Sequence, residues 1–299
     1  MDGLAYWWRK NDRKIAPYLF LAPFLILFFV FSIYPIFYSI YLSFYKVVGL
    51  STPTFVGLEN YTDLVKDPRF IKSLFNTTYY AAASVFILSP LALVVAVAFD
   101  ARVTRRLNRF YQVTYFLPII TSAVVVAAMF RMIFDQQYGL LNDFLANFSI
   151  DPVPWLRSKQ WALPSVFLMG IWLFLGINAL YFLAGLQNIS HEIKEAAQID
   201  GANNWQTFFH ITTPLLRPVI LFVVIQAIIG SYNLFAQPLL LTGGGPQDAT
   251  LMMTIYLYIK GFREFRLGYA AAIGYAMVFI VLILSVINLI LFRTFREET

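Results

Sequence analysis

Seven neutral polar or aromatic side chains interrupt two otherwise apolar runs between residues 161 and 241. They are Trp172, Asn178, Gln226, Ser231, Tyr232, Asn233 and Gln237. Amides and hydroxyls in hydrocarbon are costly unless they face protein or water. These side chains therefore either bond neighbouring helices or line a polar path. Because none of them is charged, such a path would offer hydrogen bonds and aromatic faces instead of a proton or ion relay.

Motifs for catalysis, nucleotide binding and metal binding are missing from the sequence. It contains no GxxxxGK[ST], HExxH or GxSxG motif, and the glycine-rich TGGGP at 242–246 lacks the lysine of a phosphate loop. His191 and His210 have no third ligand in the sequence around them, which favours structural roles. We therefore predict no catalytic residue, no metal site and no cofactor bound by this chain.

Membrane spans are the elements that position these side chains. Of the 299 residues, 60% are hydrophobic and 13% charged, a composition typical of an integral membrane protein. A helix needs roughly 20 apolar residues to cross ~30 Å of hydrocarbon. Runs that reach this length lie at 18–45, 74–99, 110–130, 161–186, 218–241 and 267–292. We expect Pro23 and Pro35 to bend the first span, and Pro238 to kink the fifth.

The predicted spans contain no Asp, Glu, Lys or Arg. Proton- and ion-coupled carriers usually need buried ionisable groups, so this absence argues against them, although a Na⁺-coupled carrier with neutral ligands stays open. If the chain moves a solute, either a partner supplies the energy or the chain is a passive pore.

Basic residues predict the orientation of the chain. WWRKNDRK precedes the first span, and a short loop between the second and third spans carries Arg102, Arg105, Arg106 and Arg109. Arginine-rich short loops are typical of the cytoplasmic side. We therefore place both termini and the loop 189–217 in the cytoplasm, and 46–73, 131–160 and 242–266 outside as folded caps. The pI near 9.4 then reflects orientation, and no nucleic-acid partner is expected.

The cytoplasmic loop reads as helix, glycine turn, helix. Ser190 can cap the first helix, and Gly201 can end it in a left-handed conformation. Asn203 or Asn204 can cap the second helix, which Pro214 should end. One face of that helix is then formed by Trp205, Phe208, Phe209 and Thr212, so the face is mainly aromatic. Physical arguments alone leave two alternatives open, a helix lying on lipid or a docking helix for a soluble partner.

The same loop resembles the EAA loop of bacterial ABC-importer permeases. The matching residues are Glu195, Ala196, Ala197, Asp200, Gly201, Ala202, Phe208, Ile211, Pro214, Leu215 and Leu216. FVGLENY at 55–61, FLP at 116–118, TGGGP at 242–246 and GYAAAI at 268–273 are similar to the carbohydrate-uptake branch, including maltose, oligosaccharide and glycerol-phosphate importers. The chain lacks the extra N-terminal helices and the large periplasmic insert of the enterobacterial maltose subunit.

The resemblance implies an all-α, polytopic type I ABC importer fold with six transmembrane helices and a helix-turn-helix coupling loop. It also implies three kinds of partner: a second homologous permease, two ATP-binding subunits that use ATP and Mg, and an extracytoplasmic solute-binding protein delivering a sugar. Docking to the ATPase would involve Glu195, Ala196, Ala197, Asp200, Gly201, Ala202, Trp205, Phe208 and Phe209.

The seven neutral residues from Trp172 to Gln237 would line the sugar path. Sugar-contact positions of the maltose relative fall here on apolar residues near Ile119 and Ala123, so a different di- or oligosaccharide is expected. A secondary carrier or channel for a neutral solute is the alternative. The predicted parts are a cytoplasmic segment 1–17, a first helix with its outer loop 18–73, a core 74–292 containing the coupling loop, and a cytoplasmic tail 293–299.

Overall fold

Helices make up most of the chain. The computed structural model describes residues 2–100 and 114–297, so the predicted loop with Arg102, Arg105, Arg106 and Arg109 lies outside it, as do residues 110–113 of the third run. The α-helices are α1 (Asp2–Phe28), α2 (Tyr34–Ser43), α3 (Glu59–Lys66), α4 (Pro68–Ala83), α5 (Ser89–Asp100), α6 (Thr114–Ile120), α7 (Ala123–Ile133), α8 (Leu140–Ala146), α9 (Ala162–Gln187), α10 (His191–Ile199), α11 (Asn204–Gln206), α12 (Thr213–Leu215), α13 (Arg217–Tyr232), α14 (Ala236–Thr242), α15 (Met253–Tyr258) and α16 (Leu267–Glu297). π-Helical segments lie at Phe29–Ile33, Ser84–Leu88, Thr207–Thr212 and Ile259–Arg263, and a short antiparallel pair joins β1 (Tyr45–Lys46) to β2 (Thr54–Phe55).

Four continuous helices in the described part are long and apolar enough to cross a membrane. They cover Ala16–Ser43, Pro68–Asp100, Ala162–Gln187 and Leu267–Phe292. Two bent helix pairs, Thr114–Ile120 with Ala123–Ile133 and Asn204–Leu215 with Arg217–Tyr232, raise the number to six if each counts as one span. The all-α, polytopic class is therefore confirmed.

Two of the predicted spans are not continuous helices. In the third, α6 and α7 meet at 110°, because Ser122 takes an extended conformation just after Pro118 and Thr121. In the fifth, α13 ends at Tyr232 and α14 starts at Ala236, so the apolar run 218–241 is interrupted a few residues before the kink expected at Pro238. The break lies just before Pro238, whose missing N–H and bulky ring disfavour an unbroken helix.

Three of the π-helical segments precede a proline. Pro35, Pro90 and Pro214 each stand at the second position after such a segment. A proline cannot donate a hydrogen bond to the fourth residue before it, and its ring crowds that carbonyl. The wider π turn takes up this crowding, and the first span remains one 28-residue helix in spite of Pro23 and Pro35.

The chain divides into two units. The first consists of Met1–Asp63 and Lys260–Tyr275. Within it the Asn60 side chain donates to the carbonyls of Ser43 and Tyr45, at 2.8 and 3.1 Å, and fixes the loop that follows α2. Val48 forms an isolated antiparallel bridge with Arg266.

The second unit, Leu64–Ile259 and Ala276–Thr299, is organised around α9. Glycines allow other helices to approach α9 closely. A Cβ added at Gly170, Gly176 or Gly185 would lie 2.0 Å from the Tyr80 hydroxyl, 1.9 Å from the Tyr115 carbonyl oxygen or 2.7 Å from Val219. Small residues at such crossings are typical of helix packing in membranes, where dispersion contacts replace the hydrophobic effect. The three glycines thus bring α4, α6 and α13 against α9.

Candidate functional site

The first helix of the loop 189–217 begins and ends as predicted. The Ser190 hydroxyl accepts from the Glu192 amide at 3.3 Å, which caps α10. Gly201 has φ +88°, and the amides of Gly201 and Ala202 bond the carbonyls of Gln198 and Ala197, at 3.1 and 2.9 Å. This left-handed closure is the termination that a glycine favours.

The second helix begins at Asn203, one of the two predicted caps. Asn203 and Gln206 form a reciprocal capping box with bonds of 2.9 and 2.8 Å. Pro214 does not end the helix, because the π-helical turn before it absorbs the missing hydrogen bond and the chain stays helical to Leu215. The 68° bend follows, between Leu215 and Arg217.

The predicted aromatic face forms, with one exception. Trp205 and Phe209 stack at 5.8 Å between ring centroids and are 73% and 56% exposed, while Phe208 meets Phe209 edge-on at 5.1 Å. Thr212 is buried, because the π turn alters the spacing on which the predicted face depended.

Most of the predicted docking residues share the exposed side of the loop. Glu195, Ala196, Asp200 and Gly201 are exposed, and Ala202 and Phe208 are half-buried. Ala197 is only 7% exposed and faces the rest of its own chain. The loop therefore has an outer side that a partner can reach and an inner side on which Ala197 is buried. None of this tests docking itself, which stays a prediction.

A neutral cavity of about 230 Å³ lies among the second, third, fourth and fifth spans. Asn178, Gln226 and Ser231, three of the predicted path residues, line it. The Asn178 amide donates to Phe174 O at 2.8 Å, and Ser231 Oγ donates to Ala227 O at 2.6 Å, so both also bond their own helices. Gln226 is exposed at the cavity wall. The remaining lining residues are Tyr80, Ser84, Leu88, Ile119, Phe174, Ile177, Tyr181, Ala227, Gly230 and Leu234, and none is charged.

Tyr80 and Ser84 are polar lining residues that the sequence patterns do not single out. The Tyr80 side chain is 2% exposed, and its hydroxyl has no hydrogen-bond partner among the described residues. Ser84 Oγ lies 3.3 Å from Ser231 Oγ and joins the second span to the fifth. A tyrosine in an apolar run resembles an ordinary packing residue, and only the glycine facing it, Gly170, marks the position as special.

The other four predicted path residues lie outside this cavity lining. Trp172 is 39% exposed and meets Phe130 edge-on at 5.7 Å. Tyr232 is buried and shares a 2.8 Å hydrogen bond with Thr78, so it joins two helices. Asn233 donates to Ile229 O of its own helix. Gln237 lies in the first turn of α14.

The segment around TGGGP is tied to the start of the second span. Arg69 donates to both carboxylate oxygens of Asp248, at 3.0 and 2.9 Å. Buried Asn76 donates to the carbonyls of Asp248 and Leu251, at 2.9 and 3.0 Å. Gln247 and Asp248 have φ of 50° and 60°, conformations that non-glycine residues keep only where surrounding bonds impose them. These contacts support the prediction that the segment is a folded cap.

The loop after α7 is folded as well. Buried Asn142 accepts from the Trp155 indole at 2.9 Å and from the Val153 amide at 3.1 Å. The pKa of Asp135 is lowered because its carboxylate accepts from the amides of Tyr138 and Gln137, with a smaller contribution from the charge of Arg157. Arg131, in the last turn of α7, donates to the carbonyls of Leu240 and Leu241.

Comparisons with known proteins agree along nearly the whole chain. Residues 88–297 match the family described as binding-protein-dependent transport system inner membrane component. The arabinooligosaccharides transport system permease protein AraP of Bacillus subtilis (strain 168) is 37% identical, over 97% of this chain and 93% of that relative. The lactose transport system permease protein LacF of Rhizobium radiobacter is 34% identical, over 92% and 93%.

A solved structure shares the fold. It is the bacterial alginate ABC transporter in complex with an alginate pentasaccharide-bound periplasmic protein. One of its chains gives a TM-score of 0.82 at 22% identity, covering 94% of this chain and 95% of that one. At this level of identity the likeness establishes the architecture alone.

Proposed function

We propose, since this chain belongs to the family of binding-protein-dependent transport system inner membrane components, that it forms half of the path for a di- or oligosaccharide. The chain is a sugar ABC transporter permease subunit and a multi-pass inner-membrane protein, and its relatives are permease subunits, in keeping with a transport subunit that has no enzymatic activity of its own. The finer proposal concerns what passes through it, where the energy enters and which proteins assemble with it.

The neutral cavity is the observation that carries the proposal. Its polar groups are hydroxyls and amides from three spans, among them Tyr80, Asn178 and Gln226. A site built from uncharged donors and acceptors among apolar walls suits a polyhydroxylated solute, since it offers hydrogen bonds without fixing a counter-charge. The relatives named for arabinooligosaccharides and lactose support a neutral sugar over glycerol phosphate.

Energy would enter through the loop 189–217. The described residues present an exposed helix-turn-helix whose glycine closure and stacked aromatic rings could occupy a cleft of an ATP-binding subunit. In the proposed assembly this chain pairs with a second homologous permease, and two ATP-binding subunits hydrolyse ATP with Mg beneath them. Closure of the ATPase dimer would then rock the spans between outward-facing and inward-facing arrangements. This chain would itself bind neither ATP nor Mg.

A solute-binding protein would deliver the sugar from outside. The likeness to a transporter solved with its periplasmic protein supports this partner, and the folded segments around Asp248 and Asn142 offer a structured outer surface. Both termini would lie in the cytoplasm, in keeping with the arginine-rich loop.

Reconstitution tests the function. Proteoliposomes should contain this chain with its second permease and the ATP-binding subunits, and the binding protein is added outside. Arabinotriose and lactose are the first sugars to test. We expect sugar uptake only with internal ATP and all four components. The chain alone should show neither uptake nor ATPase activity. Accumulation of sugar by the chain alone, without ATP, would contradict the proposal and establish a secondary carrier.

A further inference from the structure

An ion pair connects the loop to the second span. Lys194 Nζ in α10 lies 3.1 Å from Asp100 Oδ2, and Asp100 is the last residue of α5. The two side chains are 22% and 28% exposed. The pair is thus partly shielded from water, and a charge-assisted bond in such a position holds its geometry better than a fully exposed pair does.

Lys194 lies on the inner side of the loop. Lys194 and Ala197 are three residues apart and share a face of α10, and among residues 192–199 these two are the least exposed. Glu195 and Ala196, on the outer side, are exposed. A partner held on the outer side would therefore leave the Lys194–Asp100 pair in place.

Apolar packing attaches both ends of the loop to the spans, and the ion pair adds a polar link at the entrance. Leu216, at the exit, is 1% exposed and packs in an apolar cluster with Ala96 of α5, Phe182 of α9 and Val223 of α13, and Ile189, just before α10, packs against the same cluster. At its entrance, the ion pair joins α10 to α5. Breaking the pair would remove the polar link between α10 and the end of α5, while the apolar attachment of the loop ends to the second, fourth and fifth spans remains.

We propose that the Lys194–Asp100 ion pair transmits displacement of the loop to the second span. Two residues of this span, Tyr80 and Ser84, line the cavity. Pro68–Asp100 is continuously helical over 33 residues, with one π-helical segment at Ser84–Leu88, so movement of its end at Asp100 is passed along the helix to the cavity wall. Both residues are positioning residues that touch neither the sugar nor ATP. The inference rests on the proposed function and assigns a route within it.

Charge reversal tests the pair in the complete complex. We expect Lys194→Glu and Asp100→Lys each to lower the sugar transported per ATP hydrolysed by about tenfold, within the range of typical coupling effects, while the ATP-binding subunits still co-purify. The double variant should restore the ratio to near the wild-type value, and Lys194→Gln and Asp100→Asn serve as milder substitutions. Lys66→Glu, a reversal at an exposed lysine outside this region, should leave the ratio unchanged.

A reversible crosslink separates transmission from stability. The chain contains no cysteine, so Lys194→Cys with Asp100→Cys supplies its only thiols. A short bifunctional methanethiosulfonate should keep transport coupled while it joins the two residues, and reduction should uncouple it. The inference would be overturned if the single reversals transported as much sugar per ATP as the wild type, or if the double variant did not restore this ratio. It would also be overturned if the crosslink had no effect on the ratio. Failure of the proposed function looks different, because the wild-type complex itself would then show no ATP-dependent uptake.

Discussion

At the scale of single residues, Tyr80 is the informative position. A buried hydroxyl without a partner carries a desolvation cost of about 1–3 kcal/mol. The Tyr80 hydroxyl finds no partner among the described residues, and its side chain lines the cavity. Gly170 lies opposite and leaves room for the hydroxyl oxygen, whereas any side chain at position 170 would collide with it. We expect this unsatisfied donor to turn to a sugar in the cavity that the Tyr80 side chain lines, which is why Tyr80 joins the candidate path.

Removing only this hydroxyl tests its role. Tyr80→Phe should leave the thermal stability unchanged or slightly higher, because no described hydrogen bond is lost. The apparent affinity for the transported sugar should fall by about tenfold, the worth of one hydrogen bond of ~1.4 kcal/mol. ATP-driven uptake measured over a range of sugar concentrations gives the affinity. Tyr79→Phe, on the same helix but 47% exposed, is the matched control. Equal uptake kinetics in both variants would remove Tyr80 from the path.

At the scale of elements, the glycine turn of the loop sets the angle between α10 and α11. Gly201 has open space around its Cα, so a side chain there meets no neighbour and its effect comes from φ +88° alone. Such a position separates backbone conformation from packing. Asparagine tolerates the left-handed region and a β-branched residue does not.

Two substitutions at this position make the prediction specific. Gly201→Val should uncouple ATP hydrolysis from transport or release the ATP-binding subunits, because the loop can no longer close. Gly201→Asn should retain most of the activity. ATPase stimulation by the sugar-loaded binding protein and co-purification of the ATP-binding subunits measure the two effects. If both variants behaved like wild type, the turn would have no part in coupling.

At the scale of the whole molecule, α9 is the helix on which the second unit is built. Its glycines determine how closely the second, third and fifth spans approach. The third span is bent by 110° just after the segment that packs on Gly176. The cavity depends on this arrangement, since its lining residues come from these three spans and from α9.

Adding one methyl group to the packing tests this dependence. In Gly176→Ala the new Cβ would lie 1.9 Å from a backbone oxygen of Tyr115, so α6 must move, at a cost of roughly 1–3 kcal/mol for overpacking. We expect a lower melting temperature in detergent and poorer assembly. Gly230→Ala in α13, where nothing lies within 4 Å, should leave melting unchanged or raise it slightly. Similar melting curves for the two variants would contradict the close approach.

The sequence alone determined the features whose causes lie within one or two helical turns. Apolar run lengths predicted the spans, Ser190 and Asn203 the helix starts, and Gly201 the turn, because capping and left-handed backbone conformations depend on adjacent residues. Charge-free spans also predicted that either a partner supplies the energy or the chain is a passive pore, and the partner stays a prediction.

Only the tertiary structure decided which polar groups meet. Asn178 and Ser231 reach the cavity while Tyr232 bonds Thr78, and Lys194 finds Asp100 across 94 residues of sequence. A helix that is apolar on every side carries no pattern that tells which face packs on protein, so these choices follow from the helix crossings. The tertiary structure also decided the angles at the breaks in the third and fifth spans. A proline marks where a helix can break, and the surrounding packing sets the angle.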